Sequence, residues 1–432
     1  MITSSNYYIS PQGHLMVEGC DTTSLASEYG TPLYVVSESE FIGNICSFRK
    51  SINIYFNGKT KAAYAGKALL CKEIVKIIQN ERMYLDVASE GELYTAVNTG
   101  FPCERIYFHG NNKLPRELAY AIDSKVGKVV VDNHYELNLL NEIAVSKGVV
   151  QDILLRIKPG VDTHTHVYVR TGGVDSKFGF GCDDQEIDDL INLIKTCKGV
   201  KLSGIHCHLG SQILDLKPYR EAAKIMTDVY KYIFKNHNIL LDEINLGGGF
   251  GIPYNENMTA PSFDRYMKNI FEVMKENLKE NGLNIPYVTF EPGRSLIGTA
   301  GITLYTIGSI KHIENIRTYL AVDGGMPDNP RYALYKSSYM AEVANKADRI
   351  KDFQVTIAGK CCESGDLIQE NIKIQQAESG DILAVMPTGA YNYSMASNYN
   401  RLLRPAMIMV SGQESKVIIK RENFDDIIQN DI

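Results

Sequence analysis

The sequence predicts an α/β protein in two parts, an N-terminal (β/α)8 barrel and a C-terminal all-β domain. Eight apolar runs of strand length alternate with amphipathic helical stretches between Lys61 and Gly293. After Arg294 the texture changes to short β-like runs punctuated by Gly, Pro and Asn. A chain of 432 residues is also too long for one ordinary core and long enough for two domains.

The expected barrel strands are Lys61–Gly66, Met83–Ser89, Arg105–Gly110, Lys128–Asn133, Asp152–Pro159, Lys201–Gly210, Glu243–Phe250 and Tyr287–Gly293. Most are rich in Val, Ile, Leu, Tyr or Phe and end in Gly, Pro, Ser or Asn. Between them, Leu69–Gln79, Glu136–Lys147 and Ser262–Glu280 each carry apolar residues at spacings that make one buried helical face. This order over about 230 residues matches a β/α barrel, with a doubly wound open sheet as the structural alternative. Later runs at Ala300–Ser309, Thr318–Val322, Gln354–Ala358, Asp381–Val385 and Ala406–Val410 read as strands of the second domain. Tyr7-Tyr8-Ile9 and Leu33–Val36 look like strands outside the barrel that complete it. The expected division is a barrel over 36–285 and a β domain from 1–35 with 286–432.

Composition narrows the function classes. Net charge is −6 with no long like-charged block, which does not favour nucleic acid or anionic membrane as a partner. No run approaches the roughly 20 apolar residues of a membrane helix, and the first residues do not read as a secretory signal. Nine scattered cysteines without CxxC pairs suit a reducing compartment, so a cytoplasmic location is expected.

Barrel active sites form at the C-terminal strand ends, which here carry Lys67, Ser89, His109, Asp132, His208, Gly247-Gly248-Gly249 and Glu291. A partly desolvated lysine at such a mouth is a nucleophile for a carbonyl; a solvated charge is the plainer reading of Lys67. The glycine run lets backbone amides approach a phosphate, or is only a tight turn. His206 with His208, and His164 with His166, suggest metal ligands by strand alternation, but no Cys/Asp/Glu cluster completes a site and no metal is expected. A ring packing on a cofactor is the competing role for His208. Glu291 facing a ring nitrogen would favour its protonated form, an electron sink for carbanion chemistry; the plainer reading is a surface pair with Arg294.

Five motifs stand together in order: Tyr64-Ala-Gly-Lys67, His206-Cys-His-Leu-Gly-Ser211, the Gly247–Gly251 run, Glu291-Pro-Gly-Arg294 and Cys362-Glu-Ser-Gly-Asp366. The set resembles the alanine-racemase-fold group of pyridoxal-phosphate decarboxylases over nearly the whole chain. Within that group it is most similar to the diaminopimelate-specific branch. Lys158-Pro-Gly-Val-Asp-Thr-His-Thr-His166, Lys177-Phe-Gly179, Asp323-Gly-Gly-Met-Pro-Asp-Asn-Pro-Arg331-Tyr-Ala-Leu-Tyr335 and Gly389-Ala-Tyr391 carry that similarity. The resemblance departs at two places. The family usually has Asn where this chain has Leu69, and Pro where it has Tyr332.

The resemblance implies pyridoxal 5'-phosphate as cofactor, Lys67 as its Schiff-base lysine, His208 on its ring face and Glu291 at its ring nitrogen. It implies that Ser211, Gly249, the Glu291-Pro292-Gly293-Arg294 backbone and Tyr391 hold the phosphate end. Arg294, Arg331, Tyr335, Glu363 and Tyr391 would contact substrate, and Cys362 would return the proton, with Lys67 or water as alternatives. The implied reaction is decarboxylation of meso-2,6-diaminopimelate to L-lysine, the last step of lysine biosynthesis. The implied assembly is a homodimer with the Cys362–Asp366 segment reaching the partner's site. Substrate chemistry points the same way: Arg294 and Arg331 suit carboxylates and Glu363 an ammonium. A diamine-forming enzyme would leave Arg331 as a buried charge without a partner. Decarboxylases of ornithine, lysine, arginine or carboxynorspermidine are the alternatives. A racemase usually has Arg, not Glu, at the ring nitrogen, and a non-catalytic relative would tend to lose Lys67 or Cys362.

Overall fold

Several helices of the first part start where a capping side chain stands. Ser89, Asn133, Asp183 and Ser262 each accept a backbone N–H from the first turn of the helix that follows, which satisfies a donor the helix leaves open. Gly100 ends one of these helices in the left-handed region, at φ 80°. The computed structural model describes residues 6–162, 173 and 175–432. His164 and His166 lie outside the described residues.

All eight expected barrel strands form, as Thr60–Ala65, Tyr84–Val87, Ile106–Phe108, Lys128–Val131, Gln151–Arg156, Val200–His206, Glu243–Asn245 and Tyr287–Phe290. They pair in parallel and in chain order, and the eighth pairs back to the first, so the sheet is a closed barrel rather than an open one. Closure uses Tyr287–Phe290, so the barrel extends beyond residue 285. Ala63, Tyr107, Val130 and Leu154 form a buried cluster from four of the strands. Below the mouth, Glu243 is fully buried and accepts hydrogen bonds from Lys61, from Tyr107 at 2.7 Å and from Thr289 at 2.7 Å. That satisfaction is what a buried carboxylate needs.

The chain divides into two compact units, Ile45–Gly251 with Ala260–Gly293, and Met1–Asn44 with Ile252–Thr259 and Arg294–Ile432. The second unit is built on a nine-stranded sheet. Its longest strand, Gly301–Ile313, pairs antiparallel with Leu33–Ser37 and Ile382–Met386 through its first half and with Arg317–Val322 through its second. Leu33–Ser37 also runs parallel to Ala406–Ser411, so the early strand does complete this sheet. Two clusters of buried side chains fill the unit, one around Leu33, Val35 and Ile408, the other around Ile307, Leu320 and Val385. Each such aliphatic side chain contributes roughly 1.5–3 kcal/mol on burial.

Asp328 is buried in this unit, accepting from the Tyr305 hydroxyl and from the Gly325 N–H at 2.9 Å. Burial pushes its carboxyl from 3.8 up to about 7. The folded chain therefore holds this proton more tightly than the unfolded chain. Stability from this group is complete below pH 3.8, falls as pH rises to about 7, and is level above. Relative to Asp328→Asn, the wild type is expected to lose melting temperature across that window. Parallel melting curves for the two proteins would speak against the assignment.

Candidate active site

The C-terminal strand ends bring one group each to the barrel mouth. Lys67 follows the first strand in a single 3-10 turn, Gly66–Ala68. It is exposed between two buried neighbours. Asp86 is next to last in the second strand, His109 follows the third, His206 ends the sixth, Asn245 ends the seventh and Glu291 follows the eighth.

Glu291 is the centre of this set, at 4% exposure. Its Oε1 accepts from His109 Nε2 at 2.9 Å and Asn245 Nδ2 at 2.7 Å; its Oε2 accepts from His206 Nε2 at 3.1 Å. Burial alone would raise its pKa. Its contacts with the two imidazoles overcome that and hold it well below the usual carboxylate range. Glu291 is thus not the surface partner of Arg294. Asp86, whose Oδ1 lies 3.7 Å from His109 Nε2, has the opposite balance: burial, partly offset by His109, leaves its pKa raised.

His206 and His208 do not act as a strand pair, because the strand stops at His206. Burial lowers His206 to about 4, so the ring is neutral. His208 turns away to accept the Gly248 N–H at Nδ1, 3.2 Å. The residue is half-buried, but its ring is desolvated; that, then the charges of Lys67 and Arg156, pushes its pKa well down. The ligand atoms of His109, His206 and Glu291 lie within 4.8 Å of one another, so a carboxylate does stand beside His206. Both Nε2 atoms lie at hydrogen-bonding distance from that carboxylate, and a nitrogen that donates N–H cannot bind a metal.

The glycine run is sterically required. A Cβ at Gly248 would lie 2.0 Å from the Glu291 carbonyl oxygen, and Gly249 has φ 96°. Gly247 N–H donates to Asn245 Oδ1 at 2.8 Å and Gly248 N–H to His208, while Gly249 N–H has no hydrogen-bond partner among the described residues. Tyr219 stacks on Phe250 at 5.1 Å and donates to the Gly248 carbonyl at 3.1 Å, fixing the turn from below. Ser211 is half-buried in the segment after His208. Pro292 accepts the Ala65 N–H at 3.1 Å, and Gly293 packs on Ala65 and Ala68, either side of Lys67. Ser89 is a helix cap, and Asp132 accepts the Gly179 N–H at 3.1 Å and faces Arg156 at 3.6 Å.

In the β unit, Arg294 and Arg331 converge on Tyr254, which the sequence reading does not single out. Arg331 Nη1 donates to the Tyr254 hydroxyl at 2.8 Å and the Tyr339 hydroxyl at 3.2 Å; Arg294 donates to the same Tyr254 oxygen. Arg294 also lies 4.6 Å from the ring centre of Tyr391. Burial would raise the Tyr254 pKa, but the two guanidinium charges hold it below the usual phenol range. Arg331 is 5% exposed and has no carboxylate partner among the described residues. Tyr335 is half-buried at the end of the short helix Arg331–Tyr335. Leu69 is buried, and Tyr332 donates its hydroxyl to Glu370, so both departures from the family pattern are packed into place.

Cys362 and Glu363 are exposed on a loop whose base is pinned by buried Asp366. Asp366 accepts from Met326 N–H at 2.6 Å and Cys361 N–H at 2.7 Å, and Cys362 N–H donates to Asn400 at 2.8 Å. Burial and the adjacent Asp366 push the Cys361 thiol up to about 12, unsuited to giving a thiolate.

Known proteins resemble this chain along most of its length. Residues 42–298 match the pyridoxal-binding domain of the pyridoxal-dependent decarboxylases. The chain is 44% identical to a diaminopimelate decarboxylase of Bacillus subtilis (strain 168), over 97% of this chain and 95% of the relative. It is 40% identical to that of Staphylococcus aureus (strain COL), over 97% and 98%. The solved diaminopimelate decarboxylase of M. jannaschii in complex with L-lysine superposes with a TM-score of 0.93 at 32% identity, covering 100% of this chain and 99% of that one. With this identity along its full length and the barrel mouth described above, the chain belongs to the diaminopimelate decarboxylase family of pyridoxal-dependent decarboxylases.

Proposed function

We propose that this chain decarboxylates meso-2,6-diaminopimelate to L-lysine and carbon dioxide, with pyridoxal 5'-phosphate held on Lys67. The observation that carries the reading is Glu291, a carboxylate kept ionised at the buried centre of a barrel mouth. The residues suit the cofactor. Lys67 offers an exposed amine to its aldehyde, His208 a neutral flat ring, and Gly249 an N–H with no partner among the described residues toward a phosphate. Ser211, the Glu291–Arg294 backbone and Tyr391 complete the phosphate end. When bound, the cofactor supplies the electron sink for the carbanion that loss of carbon dioxide leaves.

The protein's own part is to bind, orient and move protons. Glu291 Oε2 has one donor and room for a second, which a ring N–H would fill. Arg331 binds the distal carboxylate: a desolvated guanidinium without an anion is costly, and a substrate carboxylate removes the cost. Arg294, Tyr335 and Tyr391 align the substrate with it, and Glu363 takes the distal ammonium. Cys362 returns a proton to the α-carbon. Incubation with cofactor, borohydride reduction and peptide mass analysis should find the added mass on Lys67. An adduct on another residue, or none, would contradict the assignment.

The active form is a homodimer in which the Cys362–Asp366 loop serves the partner's site; exposed Cys362 and Glu363 on a pinned base support this. Dilution should lower specific activity as dimers dissociate, and fully active monomers would refute it. Nine cysteines, all free thiols, suit the reducing cytoplasm, where cell fractionation should find the protein. No helix among the described residues is long and apolar enough to cross a membrane.

A further inference from the structure

Glu291 is useful at a ring nitrogen only while it stays the weaker base of the two. If it took the proton, the ring would be neutral and a poor electron sink. Burial at 4% exposure pushes it toward that failure. The residues opposing it come from separate strands: His109 at 2.9 Å, Asn245 at 2.7 Å and His206 at 3.1 Å. The imidazole rings stand 4.8 Å apart at 63°, one at each carboxylate oxygen. His206 Nδ1 is buried and has no hydrogen-bond partner among the described residues. A proton there would be a buried donor with nothing to bond, so the neutral ring carries its proton on Nε2, aimed at Glu291. Asp86 and Glu92 are further carboxylates close to His109, and Arg156 and Lys67 add positive charge.

We propose that His109 and His206 are positioning residues that hold Glu291 as an acceptor-only carboxylate and so keep the proton on the cofactor's ring nitrogen. This rests on the reading that Glu291 faces that nitrogen. A carboxylate already accepting three hydrogen bonds is a weak base, and the open position on Oε2 accepts a ring N–H without taking its proton. Neither histidine touches the reacting carbon in this role; both act through Glu291.

The test is the 15N resonance of holoenzyme reconstituted with cofactor labelled at the ring nitrogen. Wild type should show the protonated-ring position. His206→Leu should move the resonance toward the neutral-pyridine position, and His109→Phe should do the same. His206→Gln, whose amide N–H can stand where Nε2–H stood, should restore it. A merely structural role would change melting temperature and leave the resonance in place. A wild-type enzyme with bound cofactor and a neutral ring overturns the inference without any variant, which covers the case of a variant that fails to fold. So do folded His206→Leu and His109→Phe enzymes that keep the protonated position. Failure of the wild type to bind cofactor at all overturns the underlying reading as well, and the visible absorbance of bound cofactor tells the two failures apart.

Discussion

Replacing Lys67 by Ala is expected to remove the visible absorbance of bound cofactor and to lower turnover by about a thousandfold or more. Lys67 is exposed in a 3-10 turn, so its side chain carries little of the fold. The turn itself is held by others: Tyr64 donates its hydroxyl to the Leu69 carbonyl at 2.9 Å, and Gly66 and Ala68 are buried. Lys67→Ala should therefore melt within a few degrees of wild type while losing the band. A variant that keeps both band and turnover would remove Lys67 from the chemistry.

Replacing Arg331 by Met separates recognition from stability. Removing one partner of a buried charged pair costs about 2–5 kcal/mol, so kcat/KM for diaminopimelate should fall by about a hundredfold or more. Inhibition by L-lysine, which keeps the distal carboxylate, should weaken in parallel. Stability should not fall with it, because Arg331 is a buried cation whose named partners are the hydroxyls of Tyr254 and Tyr339, not a carboxylate. Its removal takes a desolvated charge out of the fold and leaves no buried carboxylate unpaired. Tyr254 keeps Arg294 as a partner in the variant. Unchanged kcat/KM with a large loss of melting temperature would make Arg331 structural.

The barrel was legible because its strands are short apolar runs closed by turn residues, and the following helices announce themselves by caps such as Ser89 and Asn133. Strand ends were less legible. The run Tyr287–Gly293 is regular strand only to Phe290, and Lys201–Gly210 only to His206. The residues just beyond each end carry Glu291 and His208, while single backbone bonds, Glu291 N–H to Gly247 and Cys207 N–H to Asn245, continue across the mouth. The predicted helix over Leu69–Gln79 begins only at Lys72, since Lys67 occupies a separate turn and Cys71 is extended.

Within the site, Lys67, His208 and Glu291 could be picked out by local motif. His109 and His206 were legible as strand-end and motif residues, but not as the partners of Glu291, and Asn245 was not legible at all. His109 lies 182 residues away in sequence, His206 85 and Asn245 46. Only barrel closure brings them together. Asp86 and Arg156 left a fainter signal, each a charge set at or near the end of an otherwise apolar strand run. Tyr254 left none, since its part is set by two arginines 40 and 77 residues further on.

The most direct test of the account is a product assay on the purified protein with cofactor and meso-diaminopimelate, with ornithine and arginine as parallel substrates. The account predicts L-lysine and carbon dioxide in equal amounts from diaminopimelate and little turnover of the other two. Diamine formed from ornithine or arginine, with no lysine from diaminopimelate, would contradict it.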